Sequence, residues 1–433
     1  MSIKKLITTL YKIPRSLAGP GNRKTLKILS NFSNNKVKVK FFKSNTKFNN
    51  WKIPQEWIVK KGIILDKNKN KIIDYNRNNL ELVVNSESFK GYISKKKLIK
   101  KIFTLKESPN AIPYVTKYYS KNFWGVCMKY KDVQKLEDTK YFVEIDTKKK
   151  NGKMNYGEYF IKGKSRLEIV FSTYICHPQM ANNELSGPLV MVLLINKIEK
   201  FLKKNKKLNF SYRFLFLPET IGSIAYISSN FRKLKKYVHA GYIVTCVGTK
   251  SKFKLVLSPK GNSISDIIAK QTLTKKLNKN WETRSFLERG SDERQWCSPK
   301  VNLPFSSICR SKYGEYKEYH TSLDNLNFIS IQGIKESQNL YFEIFKNFEE
   351  SKFYFSNSIG EPKLDIYGLY PKISTLKTRK KIKNLMNIIA FCDGKNNEYS
   401  IAEKSKLKIN YVKKILKNLT DKGILREQIR QYD

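Results

Sequence analysis

The sequence lacks any apolar run close to the roughly 20 residues that a membrane-spanning helix needs. Its opening segment, MSIKKLITTLYKIPRSL, has no continuous apolar stretch and no small-residue cleavage site, so a secretory signal is not expected. These two absences predict a cytoplasmic protein without a membrane span. A hydrophobic share of 40% and an aromatic share of 13% also exclude a wholly disordered chain.

Cysteine is scarce and scattered. The chain has six cysteines, and none forms a CxxC pair, which excludes a zinc ribbon and argues against a disulfide framework. They are Cys127, Cys176, Cys246, Cys297, Cys309 and Cys392. Most lie in apolar stretches and are expected to be small core residues. Cys176 differs from the others because it directly precedes a histidine.

Acidic residues are few, and the formal net charge is +49. Such a charge is compatible with a polyanionic partner. Lysine and asparagine are nevertheless abundant throughout, including in evident surface segments such as 67–71, as an AT-rich genome would impose on tolerant sites. The second interpretation is favoured, and the first stays open.

The pattern of apolar residues divides the chain into four blocks. Residues 1–54 and 136–350 alternate strands with helices, which predicts an α/β domain with helices on both faces of a largely parallel sheet. Residues 55–135 have short strands and turns and predict a small β-rich domain inserted into the first. Residues 351–371 form a polar linker, and residues 372–433 have the helix–helix–helix–strand order of a winged helix.

Three strands of the α/β domain have nearly continuous apolar sequences, as expected for strands buried on both faces. They are residues 166–173, 212–217 and 241–247. Residues 141–145 and 156–161 are predicted to pair with each other. Because ligand sites of open α/β sheets lie at the carboxyl ends of the strands, the residues that follow these strands are the first functional candidates.

Histidine is rare, with three residues in the chain. His177 follows a predicted strand, and His320 lies in the polar segment EYHTSLDN. A lone histidine is usually a structural hydrogen-bonding residue, but two rare histidines in such loops favour metal ligation. His239 directly precedes a strand and is interpreted as structural.

Acidic and amide residues accompany the histidines. Glu219 follows a strand and could act as a general base or simply cap a helix. Asp292 could bind a metal, hold a substrate ammonium group, or belong to a solvated turn. Asn183 and Glu184 lie close to His177 in the sequence. Together these residues predict metal-assisted hydrolysis.

Long motifs then give the chain a resemblance to a known family. They are GPGNRKTL (19–26), WKIPQEW (51–57), IPYVTKYY (112–119), FWGVC (123–127), STYICHPQMANNELSGP (172–188), SYRFLFLPETIGSIAY (211–226), RGSDERQWCSP (289–299), EYHTSLDNL (318–326) and GEPKLDIYGLYP (360–371). On these motifs the chain resembles the bacterial DUF4910/DUF2172 family of aminopeptidase-like proteins. The resemblance implies an α/β, M28-like phosphorylase/hydrolase-type three-layer sandwich with a mixed sheet, an inserted β-rich domain and a C-terminal winged helix.

The resemblance also implies a metal site, with departures from the two-metal pattern of M28 enzymes. His177 and His320 match the two histidine ligands, and Glu219 matches the general base. The bridging aspartate falls on Asn183, whose neutral amide is a poor replacement for a carboxylate. The ligand glutamate of the family falls on Thr220, and its further aspartate falls near Thr245. Asp292 matches the aspartate of a Ser-Asp-His segment of the family, and Glu293 replaces the histidine of that segment.

These departures predict one Zn²⁺ ion held by His177, His320 and a carboxylate, either Glu184 or Asp292. The implied activity is hydrolysis of an amide in a peptide or an N-acyl amino sugar, in connection with surface polysaccharide biosynthesis. Loss of the metal stays open as an alternative, and acyl transfer of the glutaminyl-cyclase type is disfavoured because that chemistry also needs the missing carboxylates.

A rival hypothesis is a catalytically degenerate scaffold that acts as a binding or regulatory protein through its winged helix. The predicted third helix, residues 410–422, carries four lysines, Lys413, Lys414, Lys417 and Lys422, that could lie on DNA. Winged helices also dock proteins or form dimers, so a homo-oligomer is possible.

Aromatic residues cluster in and before the inserted block. They are Trp51, Trp57, Tyr114, Tyr118, Tyr119, Phe123 and Trp124. Aromatic side chains at this density can stack on sugars, but more often they fill the core of a small domain.

Overall fold

The computed structural model describes residues 1–204, 207–371, 373 and 375–428. Its strands are β1 (Lys38–Lys43), β2 (Lys47–Phe48), β3 (Trp51–Lys52), β4 (Glu56–Leu65), β5 (Lys71–Asp74), β6 (Phe89–Ser94), β7 (Ile102–Phe103), β8 (Val126–Cys127), β9 (Lys140–Lys150), β10 (Lys153–Ile161), β11 (Glu168–Tyr174), β12 (Ser211–Leu217), β13 (Val238–Val244), β14 (Phe253–Val256), β15 (Trp281–Arg284), β16 (Phe305–Cys309), β17 (Phe353–Ser356), β18 (Asp393–Asn397) and β19 (Leu425–Gln428). Its α-helices are α1 (Ile3–Tyr11), α2 (Pro20–Phe32), α3 (Lys95–Ile99), α4 (Tyr130–Val133), α5 (Ser186–Lys204), α6 (Ile221–Tyr237), α7 (Ile264–Leu277), α8 (Glu293–Trp296), α9 (Ile331–Glu350), α10 (Leu376–Ile389), α11 (Glu398–Ser405) and α12 (Ile409–Asp421).

A large mixed sheet forms the centre of the molecule, with the strand order β1-β10-β12-β11-β13-β16-β14-β15. β11 pairs in parallel with β12 and β13, and β13 pairs in parallel with β16. β1, β10 and β14 pair antiparallel with their neighbours β10, β12 and β16. The predicted α/β fold with a mixed sheet is confirmed.

Both faces of this sheet are covered. Successive residues of β11 point to opposite faces, so Ile169 and Phe171 enter the core cluster shared with α5 and α9. Val170, between them, enters a second cluster that includes residues of α6 and α8. All seven residues of β11 are therefore buried, which explains its continuous apolar sequence. The result is a three-layer sandwich, as predicted.

A smaller antiparallel sheet, with the strand order β5-β4-β9-β6, has its own core around Trp57, Val143 and Trp124. β9 belongs to this sheet, whereas β10 pairs with β1 and β12 in the large one. The predicted pairing of residues 141–145 with 156–161 is therefore wrong. A two-residue gap between two strands favours a hairpin, but here the chain passes from one sheet to the other.

The C-terminal unit has the sheet β18-β17-β19 with α10, α11 and α12 packed beside it. Its central strand, β17, lies in the segment 351–371 that the sequence assigns to a linker. The consecutive aromatics of β17 explain the difference, since Phe353 is buried in the core of the large domain and Tyr354 in the core of the C-terminal unit. β18 was not predicted because its sequence, DGKNN, has no strand signal. The predicted winged helix ends at residue 433, and its last five residues lie outside the described chain.

The C-terminal unit packs closely on the end of α9. Phe353 and Tyr399 belong to the core cluster of the large domain. The Tyr399 hydroxyl donates to Asn347 Oδ1 at 3.2 Å, and the Lys352 N–H donates to Glu398 Oε2 at 3.0 Å. Among the described helices, none is long and apolar enough to cross a membrane.

Candidate active site

The carboxyl ends of β11 and β12 open into a cavity of about 400 Å³. His177 follows β11, and Glu219 follows β12. His320 reaches the same cavity from the loop between β16 and α9. The fold therefore brings these three predicted residues together, where the topology of an open α/β sheet places ligand sites.

His177 is held by contacts on both edges of its ring. Nδ1 lies 2.9 Å from Glu184 Oε2, and Nε2 lies 3.6 Å from Glu219 Oε2. The buried Arg15 guanidinium donates to the His177 carbonyl at 3.0 Å and lies 3.7 Å from the Glu184 carboxylate. A carboxylate on Nδ1 orients the ring and leaves Nε2 for the cavity. Glu184 itself does not line the cavity.

His320 adopts a backbone conformation with φ of +54°, which is uncommon for a residue other than glycine. Its carbonyl accepts the Tyr114 N–H at 2.8 Å. Its ring stacks on Tyr319 at 3.9 Å and lies 5.3 Å from the ring of His177. Burial, together with the neighbouring His177, lowers the pKa of His320 to about 3. The ring is therefore neutral at pH 7, the form in which imidazole binds metal ions.

Glu219 is presented by a γ-turn of the rare, strained kind, in which the Ile221 N–H donates to the Glu219 carbonyl at 2.7 Å. Thr220, at the centre of this turn, has φ of +60° and ψ of −74°. The Ser291 hydroxyl donates to Glu219 Oε1 at 3.2 Å. Burial raises the pKa of Glu219, while His177 acts against the rise.

Asp292 lies beneath this turn rather than in the cavity. Its two oxygens accept the Thr220 N–H and the Ser223 hydroxyl, each at 2.7 Å. Burial, followed by repulsion from Glu219, raises the pKa of Asp292 to about 7. Glu293 also faces inward, where one oxygen accepts the N–H groups of Gly290 and Ser291. The structure thus places Asp292 where it fixes the turn that carries Glu219.

Asn183 is also buried outside the cavity, with its amide nitrogen donating to the Tyr174 hydroxyl at 3.0 Å. Asp324 is a further residue near the site that was not predicted from the sequence. Its carboxylate accepts the N–H groups of Asn182 at 2.6 Å and Asn183 at 2.8 Å. Asp324 thereby fixes the turn that carries Asn183 and Glu184. The signal was available, since Asp324 lies four residues after His320 in the motif EYHTSLDNL.

The donors on the Nε2 side of His177 suit one zinc ion. Two imidazoles on a tetrahedral zinc, with Zn–N bonds of about 2.0–2.1 Å, have ring centres about 5 Å apart. The rings of His177 and His320 are 5.3 Å apart. Glu219 Oε2 is close enough to Nε2 to accept a proton from a water beside such an ion.

A second donor group lies on the Nδ1 side, where ligand atoms of Cys176, His177 and Glu184 are within 4.8 Å of one another. The positive charge of Arg15 next to Glu184 disfavours a cation there. Burial raises the pKa of the Cys176 thiol to about 11. The Nε2 side faces the cavity, whose lining includes neither Glu184, Asn183 nor Asp292.

Four of the nine further residues that line the cavity are aromatic. The further lining residues are Leu17, Trp51, Tyr114, Thr116, Tyr118, Tyr119, Cys176, Thr220 and Ile221. Tyr114 contacts both histidine rings, with ring centres 4.9 Å from His177 and 5.4 Å from His320. Trp51 comes from the first 54 residues and the tyrosines from the predicted insertion, so two blocks of the chain complete the cavity.

Sequence comparisons give two family matches and a long relative. Residues 4–351 match the family described as a domain of unknown function, DUF4910, and residues 352–427 match a winged helix-turn-helix family. A Clostridium acetobutylicum protein described as a "putative polysaccharide biosynthesis protein with aminopeptidase-like domain" is 36% identical over 413 residues. The alignment covers 95% of this chain and 93% of that protein. The DUF2172 part of the resemblance stays a prediction.

Solved structures show the same architecture. The crystal structure of a "putative peptidase" from Clostridium acetobutylicum has a TM-score of 0.82 and 32% identity, covering 98% of this chain and 96% of its own. BSAP, a zinc aminopeptidase from Bacillus subtilis, has a TM-score of 0.58 and 15% identity, with 80% and 94% covered. A peptidase M28 precursor from Shewanella amazonensis has a TM-score of 0.55 and 10% identity, with 79% and 92% covered. The last two likenesses show a common fold.

Proposed function

The chain belongs to the DUF4910 family and has an aminopeptidase-like fold, and from this premise we propose that it is a zinc-dependent amide hydrolase. One observation carries the proposal: His177, His320 and Glu219 meet in a single cavity. The two imidazoles can hold one ion, and a buried carboxylate beside them can move a proton. The substrate classes are those expected from the sequence, a peptide or an N-acyl amino sugar.

His177 and His320 are the residues that would hold the ion. The sequence also predicts a carboxylate ligand, Glu184 or Asp292. This proposal does not include that third ligand, because neither side chain lines the cavity. Two protein ligands bind zinc more weakly than the three of most catalytic sites, so the ion must be supplied during the assay. When bound, zinc polarises a carbonyl oxygen and makes water more acidic.

Glu219 is the general base in this proposal. It takes a proton from the attacking water, whose oxygen forms a bond to the amide carbon. The carbon–nitrogen bond then breaks, and Glu219 returns the proton to the leaving nitrogen. The products are a carboxylic acid and an amine, and Glu219 ends unprotonated. Burial raises the pKa of Glu219, which makes its carboxylate a stronger base than an exposed glutamate.

The test is zinc binding and amide hydrolysis by protein purified without a metal-affinity tag. We expect the wild type to take up one zinc ion per chain, and we expect His177→Ala and His320→Ala to lose it. His239→Phe is the matched control, because His239 is the third histidine and lies outside the cavity. Glu219→Gln should keep the ion and lose hydrolysis. Failure of the wild type to take up zinc on titration would exclude the proposed mechanism.

A binding role for the winged helix is the second candidate. On α12, Lys414 and Lys417 are exposed, whereas Lys413 approaches Glu398 at 3.6 Å. Lys422, directly after the helix, donates to the Tyr367 carbonyl. Lys414 and Lys417 could contact nucleic acid or a protein. Salt-sensitive binding that prefers one DNA sequence would support a regulator, whereas binding without preference would reflect charge alone.

A further inference from the structure

We propose that the cavity selects an uncharged N-acylated sugar rather than a chain with a free amino terminus. This inference rests on the proposed amide hydrolase and names its substrate class. Three observations carry it: the charges of the cavity lining, the position of the nearby carboxylates, and the arrangement of the aromatic wall.

Few charged side chains line the cavity. Among the described residues that line the cavity, Glu219 is the one carboxylate, and lysine and arginine are absent although the whole chain has 85 of them. Arg294 reaches the Thr220 hydroxyl at 3.4 Å but does not line the cavity. With Glu219 taken as the base, a substrate ammonium group moved from water into such a cavity would lose hydration without gaining a carboxylate partner.

The carboxylates near the cavity are not available to bind the ammonium group of a substrate. An α-amino group with a pKa of about 7.7–8.0 is largely protonated at neutral pH and needs an acidic partner. Asp292 uses both oxygens on Thr220 and Ser223, and Glu184 is turned to His177 and Arg15. Because Glu219 serves as the base, no described carboxylate is left for an ammonium group in the cavity.

The aromatic wall suits the apolar faces of a sugar ring. Trp51 and Tyr119 are 39% and 54% exposed, and their ring centres are 6.5 Å apart at 55°. The Tyr119 hydroxyl donates to the Lys52 carbonyl at 2.8 Å, which fixes its ring beside β3. Exposed aromatic rings beside a polar centre are typical of ligand sites. A volume of about 400 Å³ suits one sugar unit better than a polymer.

The experiment is isothermal titration calorimetry of the zinc-loaded full chain with N-acetylglucosamine, N-acetylgalactosamine and N-acetylmannosamine, in parallel with leucinamide. We expect at least one N-acetylated sugar to bind and leucinamide to bind at least ten times more weakly. Trp51→Ala and Tyr119→Ala should each weaken sugar binding about ten-fold, and Trp51→Phe should restore much of it. Tyr92→Ala is the matched control, since Tyr92 is 72% exposed on β6, outside the cavity lining.

The outcomes separate this inference from the proposed function. Leucinamide binding as tight as that of the sugars, or no binding of any of the three sugars, would overturn the substrate assignment. Equal loss in Tyr92→Ala would also overturn it, because the effect would then not come from the cavity. Sugar binding without hydrolysis by the zinc-loaded protein would leave the recognition intact and exclude the hydrolase.

Discussion

Glu219 lies on a turn whose backbone is strained at Thr220. A threonine in this conformation costs of the order of 1–3 kcal/mol, so the surrounding contacts must hold it in place. Asp292 supplies two of them through the Thr220 N–H and the Ser223 hydroxyl. Strained residues of this kind often occur at functional sites. At the residue scale, Asp292 is therefore a positioning residue for Glu219.

Asp292→Ala should lower amide hydrolysis about 100-fold with little change in zinc content, because a small displacement of Glu219 removes its alignment with the attacking water. Asp292→Asn keeps an acceptor for the Thr220 N–H and should retain most of the activity. Steady-state kinetics and metal analysis of both variants are the measurements. Equal losses in the two variants would indicate that the negative charge of Asp292, rather than its hydrogen bond, matters.

The sequence predicted which residues meet in the cavity better than it predicted what each residue does there. His177, His320 and Glu219 follow strands or lie in a polar motif, and the structure brings them together. Nothing in the sequence says which way a buried carboxylate points, so Glu184 and Asp292 were expected in the cavity and lie outside it. The roles of His177, His320 and Glu219 stay predictions.

The predicted insertion is attached to the His320 loop by a short pair of strand-like segments. Pro113 forms an antiparallel bridge with Thr321. The Ile112 N–H donates to Ser322 Oγ at 3.0 Å, and the Ser322 N–H donates to the Ile112 carbonyl at 2.9 Å. These contacts continue the antiparallel pairing on one side of the Tyr114–His320 bond described above. At the element scale, the insertion stabilises the backbone conformation of His320, the proposed metal ligand.

Ser322→Ala should weaken zinc binding about 10-fold, because the Ile112 N–H loses its acceptor and the His320 loop becomes less fixed. Competition with a chelating dye measures the affinity. Ser88→Ala is the matched control, since Ser88 also makes two backbone hydrogen bonds, to Thr147, but within the small sheet. A similar loss of zinc affinity in both variants would contradict the assigned role of the Ile112–Ser322 contact.

Strands could be predicted from the sequence where burial on both sheet faces requires apolar residues. Strand pairing could not be predicted where the partner strand lies far away in the sequence. β11 and β12 have continuous apolar sequences because both sheet faces are covered. The pairing of β9 with β4 and β6 depends on residues more than 45 positions away, and no local pattern encodes it. β18 forms because β17 offers it an edge rather than because of its own propensity.

At the scale of the whole molecule, the C-terminal unit shares a core with the α/β domain. His239, at the start of β13, lies between Phe210, 5.8 Å away at 10°, and Phe353 of β17, 5.8 Å away at 68°. Its Nε2 atom is buried and has no hydrogen-bond partner among the described residues. We therefore expect the two units to unfold together, with His239 as an acid-sensitive point at their junction.

Burial lowers the pKa of His239 to about 4, against 6.5 in an exposed histidine. Between these pH values the unfolded chain binds a proton that the folded chain does not, so the free energy of unfolding falls as the pH drops from about 6.5 towards 4. The loss should be about 2 kcal/mol at pH 5. His239→Phe should remove it, and urea unfolding of both proteins at pH 7.5 and 5 measures the difference. A pH dependence that is unchanged in His239→Phe would place the acid sensitivity elsewhere.

Two separate unfolding transitions in the wild type at pH 7.5 would contradict the core that the C-terminal unit and the α/β domain share.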